Sequence, residues 1–169
     1  MKNKTIAGIL ITILGIAGLM WWGRSAQSRV SADPSPNSSL STNALQALET
    51  LYDFGTISMK NGLVEHSFRV TNSSDKDIYV KKVNTSCMCT SAYMESADGE
   101  EKGPFGMEGM NYVPPANETI KVGESRDIRV VYDPNAHGPA GVGVIDRFVY
   151  LTDASNNTLQ FEIKAVVTP

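Results

Sequence analysis

The run Leu159-Gln160-Phe161-Glu162-Ile163-Lys164-Ala165-Val166-Val167 decides the fold. Apolar Leu159, Phe161, Ile163, Ala165 and Val167 alternate with Gln160, Glu162 and Lys164, and this period of two gives a strand one apolar and one polar face. Earlier in the chain the pattern repeats. Val64, His66, Phe68 and Val70 alternate with Glu65, Ser67, Arg69 and Thr71, and the run closes at Asn72-Ser73-Ser74, as a half-buried strand should. Ile78 and Val80 open another strand, Ile128, Val130 and Tyr132 define one before Asp133-Pro134, and Ile145 to Thr152 is rich in Val, Phe and Tyr. A front strand over Leu48 to Phe54 and a weaker one somewhere in 90–122 bring the expectation to about seven strands, with no long amphipathic helix competing. The expected fold class is all-β, an immunoglobulin-like antiparallel β-sandwich over residues 45–169.

The chain has 169 residues, 41% hydrophobic and 20% charged, which is length for one domain beyond any targeting segment. A net charge of -3 gives no footprint for nucleic acid. The mean hides an asymmetry, because Lys2, Lys4, Arg24 and Arg29 lie in the first thirty residues, where no acid occurs. Between them, Thr5 to Trp22 runs without a charge. As a helix it would be roughly 27 Å long against a bilayer core of about 30 Å, longer than a signal-peptide core, and it ends in interfacial Trp21-Trp22. The expectation is a cytoplasmic N-terminus at 1–4, a single-pass transmembrane signal-anchor helix at 5–22 and a flexible linker at 23–44 rich in Ser, Asn and Pro. The folded domain would then lie on the extracytoplasmic side of the cell membrane.

Four motifs follow in order: Tyr52-Asp53-Phe54-Gly55, the strand Phe68 to Asn72, Ser86-Cys87-Met88-Cys89-Thr90, and Val122-Gly123-Glu124 before a strand ending Tyr132-Asp133. This arrangement resembles the bacterial domain-of-unknown-function family 1573, whose pattern runs F-D-F-G, a strand ending in asparagine, S-C-G-C-T, a P-G-E turn and a final strand pair. The resemblance covers about residues 45 to 169 and implies an immunoglobulin-like fold, akin to pilus-chaperone and sperm-protein domains, in an extracytoplasmic place. It brings no mechanism. The sequence departs from the pattern at Met88, at Val122 and in an insert from Met94 to Glu118.

Cys87 and Cys89 are the only cysteines. On an extended strand their side chains would share a face roughly 6.6 Å apart, too far for a disulfide, whose Cβ atoms approach to about 3.5 to 4.5 Å. A soft metal ion tolerates the wider spacing. An oxidising compartment argues for the disulfide, and Met88 in place of glycine argues against the tight turn that a bridge needs. Met88, Met94, Met107 and Met110 cluster around the pair, and thiolate with thioether points to copper(I). Met107 and Met110 sit in the glycine-rich stretch 103–110, and His137 opens a second one at 137–143. If one strand separates the cysteine segment from the strand over 125–132, His137 arrives at the same end of the sandwich as the cysteines. The candidate metal ligands are therefore Cys87, Cys89, Met107, Met110 and His137. Plain packing by the methionines, turn bracing by His137, and a structural, disulfide-bonded or redox-active cysteine pair stand beside that reading. His66 lies on the apolar parity of its strand and is left out.

No phosphate loop, zinc-protease helix or dinucleotide fingerprint occurs, and neither histidine stands at a spacing that predicts contact with a nucleophile. The expected function is that of a non-enzymatic, membrane-anchored binding module of the cell envelope. Its partners would be the membrane, through the N-terminal helix, and envelope proteins. Copper(I) binding is the alternative and thiol redox chemistry the third reading.

Overall fold

The structure, a computed structural model, describes residues 45–110 and 112–169. The expected spanning segment 5–22 and linker 23–44 lie outside the described residues. Among those described, no helix is long and apolar enough to cross a membrane. Strands run at Leu45–Ala47 (β1), Leu51–Ser58 (β2), Val64–Asn72 (β3), Ile78–Thr85 (β4) and Thr90–Glu95 (β5). They continue at Glu101–Phe105 (β6), Glu118–Ile120 (β7), Ser125–Tyr132 (β8), Gly143–Asp153 (β9) and Thr158–Thr168 (β10). One five-stranded sheet has the order β1-β3-β8-β5-β6 and the other β2-β10-β9-β4-β7.

The alternating runs bury the faces that their sequence marks. Phe161, Ile163, Ala165 and Val167 of β10 are buried, as are Phe68 and Val70 of β3. Phe68 and Phe161 come from different sheets, and their rings stack at 4.6 Å between centroids, so the two sheets share one core. Cutting either ring to alanine would cost about 3–5 kcal/mol. His66, on the apolar parity of β3, stacks on Tyr52 at 3.6 Å and bonds Glu49, which is a packing role.

Three expectations need correction. The described residues form ten strands rather than about seven, because β1, β6 and β7 are only three to five residues long and too short to show a period. β6 also contains Pro104, a residue that belongs on sheet edges, and β6 is an edge strand. The front strand begins at Leu51, and Leu48 is exposed. The sandwich is also not wholly antiparallel: β2 pairs parallel with β10, Leu51 opposite Glu162 and Ser58 opposite Thr168. Within that pair, residues 54 and 55 face the single residue Ala165, a bulge with Gly55 at φ 66° and its N–H donated to Asp53 Oδ1 at 2.7 Å. The Tyr52-Asp53-Phe54-Gly55 motif is therefore a bulge signature.

The other motifs mark the two ends of the sandwich. At one end, Asn72 is fully buried, donates through Nδ2 to the carbonyls of Lys76 and Ile120, and accepts at its own carbonyl the N–H of Gly123, which sits at φ 74°. The asparagine and the Val122-Gly123-Glu124 turn thus hold each other. The other end carries the cysteines.

Candidate functional site

β4 ends at Thr85 and β5 begins at Thr90, in opposite sheets, so the four residues between them must cross the end of the sandwich. They do so as a tight turn. Thr90 N–H donates to the Cys87 carbonyl at 3.1 Å, and buried Thr85 shares its hydroxyl proton between the carbonyls of Cys87 at 2.9 Å and Thr90 at 3.1 Å. Ser86 is pinned to β9 by its N–H on the Phe148 carbonyl and by its hydroxyl under the Phe148 N–H, each at 2.9 Å.

The turn brings the cysteine Cα atoms to 5.2 Å, within disulfide range, and Cys87 and Cys89 are joined as a disulfide. The extended geometry expected for the pair does not hold. Met88 is no obstacle either, since the only non-glycine residues at positive φ among those described are Asn117 and Asn156. This turn takes negative φ at its centre, which any side chain adopts.

Each sulfur has its own basic neighbour. His137 Nε2 lies 3.3 Å from Cys87 Sγ, and Arg147 donates through Nε to Cys89 Sγ at 3.2 Å. Cys89 N–H points at Cys87 Sγ at 3.3 Å, and Thr90 Oγ1 lies 3.8 Å from Cys89 Sγ. Cys87 keeps 9% exposure beside exposed His137, whereas Cys89 keeps 2%. Next to the pair, burial pushes the Tyr132 hydroxyl up, while the Arg147 charge pulls it the other way.

β5 and β8 are hydrogen-bonded neighbours, with Thr90 opposite Tyr132, rather than separated by a strand. Their antiparallel pairing sets the start of one beside the end of the other. The loop after β8 therefore leaves at the cysteine end, with Asp133 N–H on the Cys89 carbonyl at 2.9 Å, and it delivers His137. The ligand atoms of Cys87, Cys89 and His137 all lie within 4.8 Å of one another. Met107 reaches this end through its backbone, bridged to Thr85, and the side chains of Met107 and Met110 are exposed. Of the sequence candidates, Cys87, Cys89 and His137 are therefore the three that the fold brings together, and the two methionines present their side chains at the surface.

Arg147 was not singled out from the sequence, although a signal was present. In Ile145, Arg147, Val149 and Leu151 the arginine occupies the inward parity of β9, where apolar residues are expected. A charge on that parity marks a buried partner, here Cys89.

These observations define an all-β, two-sheet domain with a disulfide-bearing turn at one end. The model of the family described as protein of unknown function (DUF1573) matches residues 45–103, which supports, over that stretch, the family read from the motifs. The match takes in both cysteines and stops before His137 and Arg147. Among solved structures, the chain is similar to the VesB protease of Vibrio cholerae, with TM-score 0.51 and 16% identity over 74% of this chain and 32% of that one. It is equally similar to a protein of unknown function from Porphyromonas gingivalis W83, with TM-score 0.51 and 15% identity over 73% of this chain and 46% of that one. The chain thus spans less than half the length of either, and at these identities the likeness shows the fold alone. No curated protein matches the chain.

Proposed function

We propose that residues 45–169 are a non-enzymatic binding module of the cell envelope, held outside the cytoplasm by the apolar segment 5–22, which meets protein partners through the cysteine end of the sandwich. A group of exposed apolar side chains at that end carries this reading. Met88 at 52%, Val144 at 83%, Leu63, Met107, Val142 and Val166 all lie on segments that close the cysteine end. Aromatic-poor but methionine-bearing surfaces of this kind suit contact with protein partners. The test is a photo-cross-linking residue placed singly at Met88, Val144 and Val122 in cells. Val122 is as exposed as Met88 but sits at the opposite end. Discrete adducts from the first two positions and none from the third are expected; equal yield from Val122 removes the reading.

A second reading, soft-metal binding, is favoured by one observation, the convergence of Cys87, Cys89 and His137 within 4.8 Å. Two sulfurs and one imidazole suit copper(I) once the disulfide has been reduced. Anaerobic titration of the reduced full chain with Cu(I) should then give one ion per chain, lost in Cys87→Ser and weakened in His137→Ala. No stoichiometric uptake would end that reading.

A further inference from the structure

The two sulfurs of the bridge are not equivalent. Cys87 is the less enclosed residue, 9% exposed against 2% for Cys89, and what stands over its sulfur is the exposed side chain of His137 rather than the packed core. Cys89 is enclosed, and the donor on its sulfur is a guanidinium from the inward face of β9, seconded by the Thr90 hydroxyl. A disulfide with one sulfur nearer the surface, behind an exposed side chain, and one sulfur under a fixed cation is set up to be attacked on the first and to release the second, because exchange depends on access and on how well the departing thiolate is stabilised.

The bridge also does little for the fold. It joins residues two apart, so in the chain-entropy account it restrains the unfolded state by less than about 2 kcal/mol. A bond of such small structural worth, furnished with a private donor for each sulfur, is better explained by its chemistry.

We propose that the cysteine turn captures protein thiols. The statement rests on the binding-module reading and names the partner class: a protein presenting an accessible thiol. The partner's thiolate, having given its proton to water, attacks Cys87 Sγ, and a new S–S bond forms there. The Cys87–Cys89 bond breaks, and its electron pair leaves on Cys89 Sγ under the Arg147 N–H. The partner is then held as a mixed disulfide. Return attack by Cys89 on Cys87 restores the bridge and releases the partner as thiolate, so capture is reversible and no external oxidant is consumed. A partner with a second thiol leaves oxidised instead, with Cys87 and Cys89 as the reduced pair.

The experiment uses the full chain in detergent and reduced glutathione as the probe, with acid quenching and peptide mass mapping. Glutathione should be found on Cys87 of the native chain. Opening should slow about tenfold or more in Arg147→Gln and recover in Arg147→Lys, which keeps the charge. Attachment at Cys89, opening only after denaturation, or an Arg147→Gln rate equal to wild type would each overturn the inference. Should Arg147→Gln fail to fold, the attachment site in the wild-type chain decides alone. Cross-links from Met88 that persist in a chain inert to glutathione would remove thiol capture and leave the binding module standing. Loss of the cross-links with glutathione chemistry intact would do the reverse.

Discussion

Met88 shows how a single residue is read differently on paper and in place. A methionine where the family pattern has glycine argues against a tight turn only if the turn needs positive φ, and this one does not. Met88→Gly should therefore leave the disulfide intact and lower stability by about 1 kcal/mol or less through the added freedom of the unfolded chain, measured by thiol counting and thermal melting. Thiols appearing in that variant would show that the side chain holds the turn after all. Arg147 is the opposite case, since its chemistry was legible in the parity of β9 but depends on a partner 58 positions away. Pairings over such separations come from topology, which a pattern of apolar residues does not encode.

At the scale of elements, the short strand β7 is held by charge. Glu118 is buried, accepts from Arg126 Nε at 3.1 Å and from Lys102 Nζ at 2.7 Å, and so ties β7 to β8 and to β6. Burial works to raise its carboxyl, but the bonds from Lys102 and Arg126 prevail and hold it below the ordinary value of 4.5. A carboxylate with a depressed folded value stabilises above its unfolded value, and that contribution is lost as pH falls through the folded one. Melting temperature should therefore drop below about pH 4.5, and Glu118→Gln should flatten that drop while costing about 2 kcal/mol at neutral pH, since buried Arg126 loses one of its two carboxylates and keeps Glu124. An unchanged acid slope would remove Glu118 from the account. The long strands β3, β8, β9 and β10 were all legible because eight or more residues display a period of two against one core. β1, β6 and β7 were not, since tertiary pairing and ion pairs rather than local pattern place them. For the site, the cysteine pair and His137 were legible as residue types, and the turn that joins them was not, because it depends on β4 and β5 lying in different sheets.

For the molecule as a whole, the stability resides in the shared core rather than in the bridge. Reduction of Cys87–Cys89 in the full chain should lower the melting temperature by only a few degrees, since less than about 2 kcal/mol of chain entropy is at stake. A fall of tens of degrees would show the disulfide to be a structural staple and weaken the case for its reactivity. The direction of the first strands bears on what the domain can withstand. β1 enters with Leu45 opposite Asn72, at the end remote from the cysteines, and β1 and β2 both run toward the cysteine end, β2 in parallel with β10. A pull exerted between residue 45 and anything gripped at Cys87 is therefore directed lengthwise along these strands. Their hydrogen bonds would be loaded in shear, sharing the tension instead of unzipping one after another.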